Sequence, residues 1–279
     1  MPWLSDGAVD RPASRTAATT QTDLFDHHAL LSADGVTLSA VHHADGTGEG
    51  GRDLAFVVAH GFTGSWRLPR VGAVVSELRA YGGVVAFDFR GHGASGGSST
   101  VGDREVLDLD AAVRWARELG YRRIVTVGFS MGGSVVVRHA ALREDHAPVD
   151  AVVAVSAPAR WYYRGTPPMR RIHFAIDHPI GRLVTRAVLR TRVSGRRWNP
   201  VPEAPKDVVG RIAPTPLLIV HGDRDAYFPV DHPEQLYAAA REPKELWIEP
   251  GLGHAENAVG PELVKRIGEW AERASKRRT

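Results

Sequence analysis

Short apolar runs alternate with longer stretches of helical spacing along most of the chain. Residues 54–59, 83–87, 124–127, 149–155 and 217–220 are almost continuously apolar, as expected of strands covered on both faces. Residues 245–249 read as a further strand. Between these runs, 68–80, 103–119, 130–143, 233–240 and 261–274 read as helices. Within 103–119, Val106, Leu109, Ala112, Val113 and Ala116 fall on one face. Near the start, 24–31 and 36–41 alternate in polarity around Ser32-Ala33-Asp34-Gly35, which predicts a β-hairpin. Its histidines, His27, His28, His42 and His43, are expected to be polar residues on a solvated strand face; a metal site is the alternative. Residues 46–52 read as a flexible surface loop, and 276–278 as a basic fray. Repeated strand–helix units of this kind predict an α/β fold: a mostly parallel sheet with helices on both faces.

The alternation breaks between 159 and 209. This stretch has no strand-like run, carries Trp161, Tyr162 and Tyr163, and holds ten arginines between Arg160 and Arg197 against one acid, Asp177. It falls between two strands, at the edge where parallel strands deliver their C-termini and where ligands bind in such sheets. It is therefore read as a cap over a pocket rather than a second domain. The core is expected over 23–158 and 210–279, and 1–22, polar and of low complexity at 16–20, as a loose tail. Within the cap, 179–192 reads as an amphipathic helix that starts at Pro179, with Asp177 or His178 as its cap. Ile180, Leu183, Val184, Ala187 and Val188 share its apolar face, which is expected to roof an acyl pocket near Trp161, Tyr162 and Tyr163. Arg182, Arg186 and Arg190 lie opposite. The arginines have two readings, a solvated face or a collar that attracts anionic substrates or a lipid surface.

Composition narrows the chemistry. With 279 residues and 43% apolar content, the chain can bury a large α/β core. A net charge of +3 gives little reason to expect a nucleic-acid partner. There is no cysteine, which excludes disulfides, thiolate catalysis and cysteine–metal sites. Residues 1–22 contain Asp6 and Asp10 and no continuous apolar core, unlike a secretory signal, and no stretch is apolar enough to span a bilayer. A cytoplasmic location is the expectation.

The candidate chemistry centres on Gly128-Phe129-Ser130-Met131-Gly132, which follows an apolar strand and opens a helix. A turn this sharp strains its central residue and holds the hydroxyl clear of the backbone. Gly128 and Gly132 leave room where the helix returns close to the strand. The Ser130 oxygen would sit at a helix N-terminus, where developing negative charge is favoured. The competing reading is a tightly packed turn without chemistry. A serine hydroxyl needs a base, and the base an orienting acid, both from the same sheet edge. His221-Gly222-Asp223-Arg224-Asp225 follows one strand and offers two aspartates. Gly253-His254 follows the next. The order Ser130, Asp, His254 is the one that accompanies a nucleophile elbow in such a sheet. Asp88, Arg90 and His92 look like a second acid–base set but are read as a network bracing the Gly-rich segment 88–96.

Taken together, His60-Gly61-Phe62, Asp88-Phe89-Arg90-Gly91-His92-Gly93, Gly128-Phe129-Ser130-Met131-Gly132-Gly133, His221-Gly222-Asp223-Arg224-Asp225 with Pro229, and Gly253-His254 resemble an α/β-hydrolase fold enzyme over about 24–275. Within that superfamily the chain is most similar to bacterial esterases of the monoacylglycerol lipase and lysophospholipase type. The resemblance implies a sheet of about eight strands, Ser130 as nucleophile, His254 as base, and Asp225 rather than Asp223 as acid. It also implies an oxyanion hole made by the backbone N–H groups of Phe62 and Met131. Trp161, Tyr162 and Leu183 are the expected substrate contacts, the partner is a small acyl ester, and no cofactor is implied. A thioesterase, a C–C bond hydrolase or a cofactor-free haloperoxidase could use the same three side chains. A non-catalytic receptor on the same fold is the reading from another class. Dehalogenases and epoxide hydrolases of this fold need an aspartate where Ser130 stands.

Overall fold

The Asp34-Gly35 pair reverses the chain as its composition requires. Gly35 takes a φ of 83°, a left-handed conformation that glycine adopts without a Cβ penalty, and the Ser32 N–H donates to the Val36 carbonyl at 2.9 Å. Strands β1 (Phe25–Leu31) and β2 (Thr37–His43) thereby pair antiparallel, with Leu30 opposite Leu38. The computed structural model describes residues 25–45, 53–142 and 146–276; the tail expected over 1–22, the loop expected over 46–52 and most of the basic end lie outside the described residues.

Six further strands follow: β3 (Leu54–Ala59), β4 (Gly83–Phe87), β5 (Arg123–Phe129), β6 (Ala151–Val155), β7 (Leu217–Gly222) and β8 (Lys244–Glu249). They form one eight-stranded sheet in the order β1-β2-β4-β3-β5-β6-β7-β8, antiparallel only where β2 meets β1 and β4. Every residue of β3, β4, β6 and β7 is buried, which explains their unbroken apolar runs. The edge strand β8 alternates between half-buried and exposed positions instead.

The helices are α1 (Pro69–Leu78), α2 (Glu105–Glu118), α3 (Met131–Ala141), α4 (Pro167–Asp177), α5 (Pro179–Val188), the single turn α6 (Pro205–Val208), α7 (Asp231–Ala239) and α8 (Pro261–Ala274). One apolar layer joins Val71, Val74 and Leu78 of α1 to Leu263, Ile267 and Trp270 of α8 across one sheet face. The other joins Leu109 and Val113 of α2, Val135 and Val136 of α3, and Leu236 of α7. This is the mostly parallel sheet with helices on both faces expected from the alternation, with the eight strands that the resemblance implies. The chain leaves β3 toward β4 on one side and returns through α2 to β5 on the other. The crevice where strand order reverses thus lies between the loops after β3 and β5.

The hairpin histidines form a solvated face only in part: His27 and His28 are exposed, as expected, and His42 is not. His42 is buried, its Nε2 lies 2.8 Å from the Tyr121 hydroxyl, and its ring meets Trp115 of α2 edge-on. His28 stacks on Trp115 and His27 packs against Trp66. Each ring has an aromatic body to cover, which polarity along the strand does not reveal.

The segment 88–96 is braced as expected. Arg90 is buried and its guanidinium bridges Asp108 of α2 and Asp34 of the hairpin turn at 2.6 and 2.7 Å, tying the loop after β4 to both. The Arg90 interaction holds the Asp34 carboxyl down to about 2. Asp88 accepts hydrogen bonds from the N–H groups of Trp66 and Ala94. Removing a single member of a buried pair strands the other charge, at a cost of about 3–5 kcal/mol. Arg90→Ala should lower unfolding free energy by about that amount in a denaturant titration; a loss below about 1 kcal/mol would mean the bridge is solvated and weak.

Candidate active site

Ser130 stands between β5 and α3 with φ 50° and ψ −113°, outside the regions that L-residues normally occupy. Such a conformation costs on the order of 1–3 kcal/mol and persists only where the surroundings impose it. Here they do. A Cβ built on Gly132 would lie 2.2 Å from the Ala59 carbonyl oxygen, and one on Gly128 would lie 2.2 Å from that of Gly132. Backbone meets backbone, so neither position accepts a larger residue, and the helix must leave the strand abruptly. The Ser130 N–H donates to the Val155 carbonyl at 2.9 Å, fixing the turn against β6.

The loops after β7 and β8 bring the other two side chains to this turn. His254 Nε2 lies 2.9 Å from Ser130 Oγ, and His254 Nδ1 lies 2.7 Å from Asp225 Oδ2. The Asp225 side chain is completely buried, and its Oδ1 accepts the N–H groups of Tyr227 and Phe228 at 2.8 and 3.0 Å. Burial works against its charge, but the bonds from His254 and from these two N–H groups outweigh burial and hold the carboxyl below its ordinary range. An ionised Asp225 can only accept, so Nδ1 of His254 carries a proton and Nε2 is left to accept from the serine hydroxyl. The stacked Tyr227 ring, 4.2 Å away centre to centre, packs on the imidazole. Asp223 does different work. Its Oδ1 accepts the Gly251 N–H at 2.6 Å, joining the β7 and β8 loops rather than shaping its own loop.

Phe62 follows His60-Gly61 after β3 and lines the same cavity as Ser130 and Met131. Met131 opens α3, so its N–H has no intrahelical acceptor. His60 sets the shape of this loop. Its Nε2 accepts the Phe89 N–H at 3.1 Å, which leaves Nδ1 to donate to the Gly61 carbonyl at 2.7 Å. Complete burial pushes its pKa down to about 4, so the ring stays neutral in this bridging role.

Two supporting residues were not singled out from the sequence. Ser156, at φ 51° beyond β6, accepts the Ala255 N–H on its Oγ at 3.0 Å, next to His254. Glu256, almost buried, accepts the Gly61 N–H on Oε1 at 3.1 Å and so joins the histidine loop to the Phe62 loop. The sequence signal for Glu256 was only its place two residues beyond His254.

The cavity beside Ser130 measures about 530 Å³. Phe62, Met131, Met169, Ile172, Trp161 and Phe228 give it apolar walls, and Tyr162 lines it as well. Leu183 does not reach it. The apolar side of α5 faces outward, with Leu183 65%, Ile180 62% and Val188 70% exposed. It is Gly181 and Thr185 that are buried, because Gly181 lets α5 cross close to the Phe174 carbonyl of α4. Arg182, placed opposite the apolar face, lines the cavity and caps the carbonyls of Ile176 and Asp177 at 3.1 and 3.0 Å. The helix also ends earlier than expected, at Val188, with Arg190 at φ 50°.

With this geometry in view, a family model for the alpha/beta hydrolase family matches residues 56–264, well over half of the chain. The chain belongs to the alpha/beta hydrolase family. Among curated relatives, this hydrolase is 26% identical over 233 residues to the uncharacterized protein YfhR of Escherichia coli, covering 81% of this chain and 72% of that one. It is 29% identical over 172 residues to the esterase LipC of Mycobacterium tuberculosis, covering 54% and 40% of the two chains. Among solved structures, the Pyrococcus furiosus esterase Pf2001 superposes with a TM-score of 0.70 at 27% identity, covering 90% and 91%. Among the described residues, no helix is long and apolar enough to cross a membrane.

The elbow's tightness is directly testable in this hydrolase. Gly132→Ala should destabilise the fold by at least about 1–3 kcal/mol, the usual range for overpacking. A thermal melt indistinguishable from wild type would mean that the Ala59 backbone can yield.

Proposed function

We propose that this protein is a serine hydrolase of carboxylic esters that works through Ser130, His254 and Asp225 and an acyl-enzyme intermediate. The observation that carries this reading is the unbroken chain of two short contacts, 2.9 Å from Ser130 Oγ to His254 Nε2 and 2.7 Å from His254 Nδ1 to Asp225. It opens on a cavity of about 530 Å³ with apolar walls. Esterases among the relatives support the same class.

In this mechanism, Ser130 Oγ bonds to the ester carbonyl carbon as its proton passes to His254 Nε2. Ionised Asp225 stabilises the resulting imidazolium and keeps its orientation. The carbonyl oxygen becomes an alkoxide, which the N–H groups of Phe62 and Met131 receive; each such donor typically contributes about 2.7–4 kcal/mol to lowering the barrier. The C–O bond to the alcohol then breaks, and His254 returns its proton to the departing oxygen. Water repeats the sequence on the acyl-enzyme, giving the free acid and restoring Ser130. Trp161 and Tyr162 contact the substrate from the cavity wall, and the acyl chain lies against the apolar lining.

A series of p-nitrophenyl esters of increasing acyl length tests the proposal. The wild type should turn over at least the shorter esters, and Ser130→Ala should lower kcat by about 10⁶-fold while keeping the wild-type melting temperature. Full activity in that variant would remove Ser130 from the reaction. In the same assay Asp225→Asn should lower kcat by about 10⁴-fold, since an amide no longer selects the tautomer with a proton on Nδ1. A change smaller than about tenfold would assign the orienting role elsewhere, and Asp223→Asn then becomes the comparison.

A further inference from the structure

Far from this cavity, three metal-ligating side chains converge between α2, α3 and the chain beyond α3. Asp110 of α2, His139 of α3 and His146 each offer one ligand atom, and these atoms lie within 4.8 Å of one another. Asp110 Oδ1 is 3.3 Å from His139 Nε2 and 3.8 Å from His146 Nδ1. Tetrahedral zinc with ligands at about 2.0–2.1 Å places those ligands roughly 3.4 Å apart, so the spacing fits an ion at the centre with small adjustments. The imidazole rings lie 5.0 Å apart, at 15° to one another.

A purely structural imidazole–carboxylate bond is the competing account, and three features weigh against it. The 3.3 Å separation is long for a bond between a buried histidine and a carboxylate. The His139 ring is buried at 1% exposure, and its Nδ1, the nitrogen not turned to Asp110, has no hydrogen-bond partner, so a structural role held by one long contact leaves the ring poorly satisfied. Finally, a cavity of about 30 Å³ opens against both imidazoles, bordered by Pro148, Val149 and Thr215. That is room for about one water or one further small ligand on an ion. Two hydrogen bonds already hold the Asp110 carboxylate in place: Ala147 N–H donates to its Oδ1 at 2.6 Å and Arg114 Nε to its Oδ2 at 2.6 Å.

We propose that Asp110, His139 and His146 form a binding site for a borderline divalent transition-metal ion, zinc in particular. Two nitrogens and one carboxylate suit zinc and its first-row neighbours and disfavour calcium and magnesium, which take oxygen ligands. The ion would staple α2 to α3 and to the chain that leads into β6. His139 is nine residues from Ser130 (139 − 130 = 9), roughly 13.5 Å along the helix at about 1.5 Å per residue. The site therefore serves stability rather than the ester chemistry, and it stands or falls independently of that reading.

The test uses the full chain, freed of metal by a chelator and then dialysed. Titration with cobalt(II), whose visible bands report tetrahedral nitrogen and oxygen ligation, should show one ion per chain, displaced by zinc(II). Zinc should also raise the melting temperature. His146→Ala should weaken binding by at least the about 100-fold that loss of an outer-shell partner alone can cost, and abolish the rise in melting temperature. Should that variant fail to fold, His146→Gln and Asp110→Asn carry the same expectation. The absence of stoichiometric binding to the wild type, or binding undiminished in all of the folded variants, would overturn the proposal.

Discussion

The conformation of one residue constrains the rest of this molecule. Ser130 is held at a positive φ because the strand before it and the helix after it approach to backbone contact at Gly128 and Gly132. That contact is possible only if β3, β5 and α3 are packed without slack. The continuous apolar strands and the two layers of buried aliphatic side chains provide such packing. The strain at the hydroxyl is thus maintained by the hydrophobic core, and the core's central strands are dictated by where the hydroxyl must stand.

The loops at the same sheet edge are stitched to one another by side chain to backbone bonds. Ser156 holds the N–H after His254, Glu256 holds the Gly61 N–H, Asp223 holds Gly251, and His60 holds Phe89 and Gly61. All but the His60–Gly61 bond join segments distant in sequence. Each uses one polar atom to satisfy a backbone group that a sharp turn would otherwise leave unpaired. A histidine and a serine from different loops can keep a 2.9 Å contact because their loops are immobilised in this way. Burial of Asp225 belongs to the same logic. Its charge is tolerated only because three donors converge on it, so it fixes the imidazole and is itself fixed by the turn at Tyr227 and Phe228.

The strands and the Ser130 turn were legible in the sequence because they obey short-range rules: unbroken apolar runs for buried strands, small residues where backbone meets backbone. The place of His254 was read from the sheet edge to which its strand delivers it; the same edge offered both Asp223 and Asp225, and only the family resemblance preferred Asp225. The cap was less legible. Its helix α5 has a clear apolar stripe, and periodicity alone pointed that stripe inward. The close crossing permitted by Gly181 turns it outward and puts Arg182 at the cavity instead. Helix α4, which has no buried residue, was not singled out from the sequence. Buried His42 of the hairpin was illegible for a related reason, since its aromatic partners, Trp115 and Tyr121, come from elements far along the chain. Glu256 and Ser156 were silent because a side chain that accepts one backbone N–H leaves no pattern.

The account rests on Ser130 being chemically activated by its neighbours rather than merely located near them. Reaction with a fluorophosphonate, which phosphonylates only activated serines, followed by mass spectrometry of the digested protein, tests this most directly. The predicted result is a single phosphonyl group on the peptide containing Ser130, lost when His254 is replaced by alanine. An unlabelled protein that is otherwise folded, or a label on another serine, would contradict it.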